Sequence, residues 1–411
     1  MKKFLILLLS LTLSQALILL AYADSINVDS LLKLKKSVIM ENNTNNNIVD
    51  IINLKHDILY NNQEVKNYSA TTENVKILSR YSILDNITWL NQSGSAIEFQ
   101  FTGTSLDITI NADTSYGIEN PPRYAILFND TLVTDELISA KEKVINVINS
   151  NTEVSGIVKV IKLSEAANGS IGIGNIAIKS NSDTPIVPVA KKSLTIEFIG
   201  DSITCAYGVE ANNEYEHFST STENFMKSYA YLTAKKLNAD YSTLCYSGHG
   251  VISGYTTDEK NTALLVPPYY DGVSKQWDYK DIKWNFEDNP VDIVLINLGT
   301  NDDSYLKFDY ENRSSEFISS YVDFLKVVRE KNPNAKIICT MGLMGGHDTF
   351  NYIQKAILEY TSQTGDSNIS SFKLTMQNFN NGLGADWHPS AKSQELCSDE
   401  VVKNIQEIMN S

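Results

Sequence analysis

The amino-acid sequence predicts an α/β domain, a parallel sheet with helices on both faces, preceded by a β-sandwich of the jelly-roll kind. Three observations carry this expectation. From residue 194 onward, short apolar runs alternate with amphipathic stretches of helical period, as in a parallel sheet wrapped by its own crossovers. From 75 to 180 the apolar residues instead recur with period two, in short runs punctuated by Gly103, Pro121, Pro122, Asn129 and Asp130; this is the pattern of an antiparallel all-β unit. Between the two, residues 181–193 carry Pro185 and Pro188 and read as an extended linker.

In chain order, residues 1–23 read as a signal peptide. Lys2 and Lys3 precede an apolar stretch that ends in Ala21-Tyr22-Ala23, which gives a charged region, a hydrophobic region and a small-residue cleavage site. The mature chain is then expected to be secreted, with no membrane span left after cleavage. Residues 24–74 are rich in Asn, Lys and aliphatic side chains, and 31–39 and 51–59 repeat each other as short amphipathic helices. In the all-β unit, 96–101, 106–110, 124–128, 154–163 and 171–178 read as strands. In the α/β domain, 194–199, 240–245, 292–298, 335–341 and 372–376 read as strands, and 226–237, 314–331, 350–360 and 389–409 as helices. Residues 251–289 form a long irregular stretch holding Trp277 and Trp284, and loops of that length in a compact domain are usually functional.

Composition narrows the partners. With 34 basic and 49 acidic residues the formal charge is −15, so nucleic acid and acidic polymers are poor partners for the surface as a whole. Four cysteines are too few for a disulfide framework. Cys339, inside an apolar run, reads as a small core residue, while spacing leaves open whether Cys205 and Cys245 pair. No His, Cys and Asp cluster has the spacing of zinc ligands, so neither a metal nor another cofactor is expected.

The chemistry gathers at one edge of the expected parallel sheet. Ser202, Gly248, Asn301 and His388 each follow a strand end, and the carboxyl ends of such strands are where open α/β sheets place their reactive groups. Acyl transfer at a serine needs a base, a pocket for the oxyanion and room for the acyl group. His388 suits the base. The N–H groups of Ser202 and Gly248, with the Asn301 side-chain amide, suit the oxyanion pocket.

Gly200-Asp201-Ser202, Tyr246-Ser247-Gly248, Leu298-Gly299-Thr300-Asn301-Asp302 and Asp386-Trp387-His388-Pro389 resemble the four blocks of the SGNH (GDSL) hydrolases. The strings 196–208 and 384–390, behind a β-sandwich, resemble carbohydrate esterase family 2, the acetyl xylan esterase-like group, more specifically. That resemblance covers the chain from about residue 75 onward. It implies a jelly roll fused to an SGNH domain of flavodoxin-like form, with removal of acetyl groups from plant cell-wall polysaccharides. It also implies Ser202 as nucleophile, His388 as base, and Gly248 and Asn301 as oxyanion residues.

One position departs from the superfamily pattern. The acid of the triad usually lies three residues before the histidine, and Ala385 stands there; Asp386 lies two before it and is the remaining candidate for a catalytic acid. In the resembled family a backbone carbonyl can orient the imidazole instead. The family resemblance also favours Trp387 as a sugar-stacking residue, with Tyr246, Trp277 and Trp284 as further candidates for substrate binding. In addition, the repeat in residues 24–60 resembles the duplicated halves of a dockerin, which implies docking to a cellulosome scaffold. The expected function is a secreted serine esterase that deacetylates xylan, glucomannan or related polysaccharide. The alternatives are a lipase- or thioesterase-type GDSL hydrolase, or a carbohydrate-binding protein with little turnover.

Overall fold

The computed structural model describes residues 64–410 apart from 116, 277 and 346. The expected signal peptide and the dockerin-like repeat lie outside the described residues, as does Trp277.

Ten strands of the first domain are linked into one largely antiparallel sheet. Its centre is the Ala96–Ala112 strand, which pairs with Glu142–Lys162 on one side and Ile171–Lys179 on the other. Residues 96–101 and 106–110, expected as separate strands ended by Gly103, are one strand. A register shift between Gly103 and Ser105 absorbs the glycine. Such bulges bend a strand and raise its twist, and here the sheet curls around a core that includes Phe99, Phe101, Ile108, Val158 and Ile176, all fully buried.

The sheet is also wider than the sequence indicates. Val65–Tyr68, in the 24–74 segment where only short helices at 31–39 and 51–59 are expected, is a strand paired with residues 176–179. Ile186–Pro188, inside the expected linker, pairs with residues 99–101. Both are short edge strands. Neither has the alternation that marks a strand in sequence, and Pro188 is tolerated because it sits at the edge.

The second domain has five parallel strands in the order Asp240–Cys245, Thr195–Gly200, Ile293–Asn297, Lys336–Met341, Ile369–Lys373. The last lies a few residues earlier than the apolar pattern suggests, since Leu374 is buried beyond the strand, with its N–H donating to the Met341 carbonyl. Successive side chains of a strand point to opposite faces. Val294 and Ile296 therefore join a cluster with Phe317, Tyr321 and Leu325 of the Tyr310–Lys331 helix. Ile293 and Leu295 join a second cluster with Ala230 of the Tyr229–Lys236 helix and Val401 of the Ala391–Asn410 helix. Caps fix the helix starts. The Asp309 carboxylate accepts from the Asn312 N–H, and the Ser228 hydroxyl accepts from the Tyr231 N–H.

The register sets the site. Gly200 lies opposite Cys245 on one neighbour and Asn297 on the other. Three carboxyl ends therefore finish level, and the residues that follow them meet at one edge of the sheet.

The two domains share their apolar core. Leu78, Ala125, Ile161 and Leu163 of the first pack in one cluster with Phe225, Tyr231 and Tyr241 of the second. Buried Arg80 reaches across to pair with Glu197 at 2.8 Å and to donate to the Tyr270 and Gly272 carbonyls. Part of the long irregular stretch serves the same contact. Tyr279 and Trp284 pack against Trp89 and Tyr81, with ring centroids 6.1 and 5.7 Å apart, so Trp284 braces the domain junction rather than lining a cleft at the sheet edge.

Candidate active site

Ser202 is the first residue of a four-residue helix, Ser202–Cys205, directly after the Thr195–Gly200 strand. Asp201 caps that helix, its Oδ1 accepting from the Ile203 N–H at 3.0 Å. Gly200 is required by close packing and not by a positive φ, since a Cβ there would stand 2.0 Å from Thr204 Oγ1. The strand can therefore run into the helix without a gap, which puts the Ser202 hydroxyl at the sheet edge.

His388 Nε2 lies 2.9 Å from Ser202 Oγ. The other ring nitrogen, Nδ1, faces two backbone carbonyls, Ala385 at 3.0 Å and Asp386 at 3.2 Å. Both carbonyls require the N–H to be on Nδ1, which leaves Nε2 as the acceptor toward Ser202. Burial holds the imidazole pKa below the ordinary histidine value, against the opposing pull of those carbonyls, so the ring is a neutral base at neutral pH.

The Asp386 carboxylate does not take the place of a triad acid. Asp386 has a left-handed backbone (φ 48°, ψ 42°), which turns its own carbonyl toward His388 and its side chain away. The carboxylate instead accepts from the Tyr207 hydroxyl at 2.9 Å and the Phe218 N–H at 3.1 Å, and meets His217 Nδ1 at 2.9 Å. Its charge still favours the protonated imidazole through space, and it holds Tyr207, whose ring stacks on the imidazole at 4.1 Å and on Phe218 at 4.4 Å. Tyr207 lies within the 196–208 block, yet nothing in its spacing marks it as the partner of a histidine far along the chain.

The oxyanion candidates lie beside this pair. Among the described residues, neither the Ser202 nor the Gly248 N–H donates to a protein acceptor. Asn301 Nδ2 donates to the His249 carbonyl at 2.9 Å and, at a longer 3.2 Å, to Asp201 Oδ2. Burial, with Asp302 nearby, pushes the Asp201 carboxyl up to about 7. Asp302 gathers the N–H groups of Val251, Ile252 and Ser253 and so pins the far side of the Gly248 loop. His249 is buried against Lys275, with Nε2 2.8 Å from the ammonium, and is pushed down to about 4 by burial and that charge.

The aromatic candidates divide. Trp387 is 45 % exposed, with Tyr215 edge-on at 5.6 Å and Phe379 at 6.3 Å; Tyr215 and Phe379 are exposed too and carry no sequence signal of their own. Tyr246, expected to bind substrate, is fully buried. Its hydroxyl accepts from Gln92 Nε2 of the first domain at 2.8 Å and from the Lys275 N–H at 3.2 Å, so it joins the domains instead of facing a ligand. All four cysteines are free and buried, Cys205 and Cys245 among them. Among the described residues no group of three or more His, Cys, Asp or Glu is placed to hold a metal ion, and no helix is long and apolar enough to cross a membrane.

A serine and a histidine in contact at the carboxyl edge of a parallel sheet of this strand order, beside a glycine turn and an asparagine amide, define an SGNH-type hydrolase domain. Residues 198–396 match the model of the GDSL-like Lipase/Acylhydrolase family, and residues 80–188 match that of the Carbohydrate esterase 2 N-terminal domain. The chain thus joins a carbohydrate esterase 2 N-terminal domain to a GDSL-like lipase/acylhydrolase domain. It is 28% identical over 316 residues to the cellulase/esterase CelE of Acetivibrio thermocellus, covering 76% of this chain and 37% of that protein. It is 26% identical over 227 residues to an acetylxylan esterase / glucomannan deacetylase of Cellvibrio japonicus, covering 53% of this chain and 60% of that one. The chain therefore spans less than two thirds of the length of these curated relatives. A family two carbohydrate esterase from Clostridium thermocellum, solved in complex with cellohexaose, shares the fold. Its TM-score is 0.70 at 24% identity, over 82% of this chain and 99% of that one.

Proposed function

We propose that this chain is a serine carboxylic ester hydrolase that removes O-acetyl groups from plant cell-wall polysaccharide, xylan or glucomannan, outside the cell. The observation that carries the reading is the 2.9 Å contact between His388 Nε2 and Ser202 Oγ, in a site where the Ser202 and Gly248 N–H groups donate to no protein acceptor among the described residues.

Ser202 Oγ attacks the acetyl carbonyl carbon while His388 Nε2 takes its proton. The oxygen that gains charge is held by the Ser202 and Gly248 N–H groups and by Asn301, which exchanges its longer bond to Asp201 for one to the oxyanion. Removing one such donor typically costs about 3–4 kcal/mol of barrier. The tetrahedral species collapses, the sugar oxygen leaves with the proton from His388, and an acetyl ester remains on Ser202. Water, deprotonated by His388, attacks that ester and releases acetate. The Ala385 and Asp386 carbonyls steady the imidazolium formed in each step. Trp387, Tyr215 and Phe379 supply apolar ring faces of the kind that stack on sugars. Support for the substrate class comes from the curated relatives named above and from the carbohydrate esterase 2 N-terminal match, whose bulged long strands are consistent with a jelly roll.

The test of the acyl-enzyme is a stopped-flow record with 4-nitrophenyl acetate. A burst of 4-nitrophenol close to one equivalent per protein, absent in Ser202→Ala, is the expected outcome. Slow release without a burst, unchanged in Ser202→Ala, refutes covalent catalysis at Ser202. The exposed aromatic trio favours a second reading, sugar binding with little turnover, and in that case Ser202→Ala binds oligosaccharide as well as a wild type that releases no acetate.

A further inference from the structure

The first domain sends one buried carboxylate into the hydrolase site. Glu165 follows the long Glu142–Lys162 strand and stands just before the Ala166–Asn168 turn, without its side chain capping it, and only 4 % of its surface is exposed. Its Oε2 accepts the Ser247 N–H at 2.8 Å. Ser247 immediately precedes Gly248, so this bond holds the entrance to the turn whose N–H is assigned above to the oxyanion. The same oxygen lies 3.9 Å from the Cys205 thiol, which donates to it from the last turn of the Ser202 helix. One carboxylate oxygen thus touches both the nucleophile helix and the oxyanion loop.

Glu165 is itself firmly held. Its N–H donates to Glu223 Oε2 at 2.8 Å, and its carbonyl accepts from the fully buried Lys162 ammonium at 2.9 Å. A buried carboxylate is costly unless hydrogen-bonded, and here Lys162 supplies the nearby positive charge. The Gly248 turn has a left-handed backbone (φ 74°), and the hydrolase domain pins its far end through Asp302 and Asn301. Glu165 pins the near end.

We infer that Glu165 is a positioning residue for the reaction: it fixes the Gly248 N–H at the oxyanion pocket, which makes the first domain part of the catalytic apparatus and not a separate binding module. This rests on the esterase reading above. The alternative role is structural, since Glu165 also stitches the domains together, and the variants are chosen to separate the two.

Glu165→Gln keeps an oxygen acceptor of the same reach, whereas Glu165→Ala leaves the Ser247 N–H unpaired. Lys76→Met serves as the control for a domain contact remote from the site, because Lys76 pairs with Asp240 at 2.8 Å at the start of the Asp240–Cys245 strand, whose other end leads to the Gly248 turn. The measurements are kcat and KM on 4-nitrophenyl acetate, the rate at which a fluorophosphonate labels Ser202, and the urea midpoint of each variant. Loss of a full oxyanion donor costs about 10²–10³-fold in kcat, so a displaced one should cost about 10–100-fold. Glu165→Ala is expected to lose that much in kcat and in labelling rate with KM nearly unchanged. Glu165→Gln should recover to within about threefold, since the bonded geometry is restored. Lys76→Met should lower the urea midpoint and leave kcat alone.

If Glu165→Ala lowers the midpoint but keeps the wild-type kcat, the positioning role is wrong while the esterase reading survives. If Glu165→Ala does not fold, the Glu165→Gln kcat decides alone, and a drop as large as for removal of a donor overturns the acceptor argument. If the wild type shows no turnover and no Ser202 labelling, the underlying reading falls instead.

Discussion

Asp386→Asn discriminates sharply between two ways of orienting the base. In a serine triad the acid bonds the imidazole N–H directly, and its replacement by asparagine lowers kcat about 10⁴-fold, roughly 5.5 kcal/mol, by favouring the wrong tautomer. Here the His388 N–H is taken by the Ala385 and Asp386 carbonyls at 3.0 and 3.2 Å, and an asparagine at 386 leaves both in place. It also keeps an amide oxygen for the Tyr207 hydroxyl or the Phe218 N–H. What is lost is the charge of a carboxylate with 35% of its side chain exposed, and a partly solvated charge of that kind is worth about 0–1 kcal/mol to a neighbour. The expected fall in kcat on 4-nitrophenyl acetate is therefore less than about 10-fold. Asp386→Ala should do more, because Tyr207 loses the partner that holds it against His388. A fall of about 10³-fold or more in Asp386→Asn, with folding intact, would show that the carboxylate orients the base and would refute the carbonyl account.

Further outcomes follow from the same geometry. His388 works in its neutral form and burial lowers its pKa, so the acid limb of kcat/KM should fall below the ordinary histidine value of about 6.5. Stability has the same sign: the unfolded ring takes up its proton near that value while the folded ring resists, so the contribution of His388 is lost as pH falls. Asp201 titrates at about 7, and the limb should persist in Asp201→Asn; a limb that disappears there belongs to Asp201. Trp387→Ala should raise KM on acetylated xylan about 10-fold, the worth of one stacked ring, and leave 4-nitrophenyl acetate nearly untouched; equal losses on both substrates would mean that Trp387 only shapes the histidine loop. Gly208→Ala puts a Cβ 2.3 Å from the Ala385 Cβ at a backbone φ of 54°, and overpacking with that strain should cost roughly 2–4 kcal/mol in urea unfolding. An unchanged midpoint would show that the His388 loop moves freely away from Gly208.

The parts of the site that were legible in sequence are those a strand register determines. The apolar run at 292–298 and its neighbours read as strands, and Ser202, Gly248, Asn301 and His388 each follow a strand end, which places them at one edge; the observed register levels three of those ends. The parts that were not legible depend on single backbone angles or on the other domain. Asp386 looked like a triad acid because its sequence spacing was nearly right, and a left-handed φ at that residue reversed the roles of its carbonyl and carboxylate. Tyr246 lay at the expected strand end, but Gln92 from the first domain takes its hydroxyl. Trp284 sat in a loop of functional length and packs at the domain junction with Tyr81. In the first domain, Gly103 looked like a break, and a bulge carried the strand through it. The Tyr246, Trp284 and Gly103 outcomes rest on contacts between residues far apart in sequence and the Asp386 outcome on one backbone angle, and local pattern carries neither.

The most direct test of the central claim is acetate release from 4-nitrophenyl acetate and from acetylated xylan by the wild type, Ser202→Ala and His388→Ala. The 2.9 Å pair predicts release from both substrates by the wild type and a loss of about 10⁴-fold or more in each variant. Release that survives in either variant, or its absence in the wild type on both substrates, would contradict an acyl-enzyme built on Ser202 and His388.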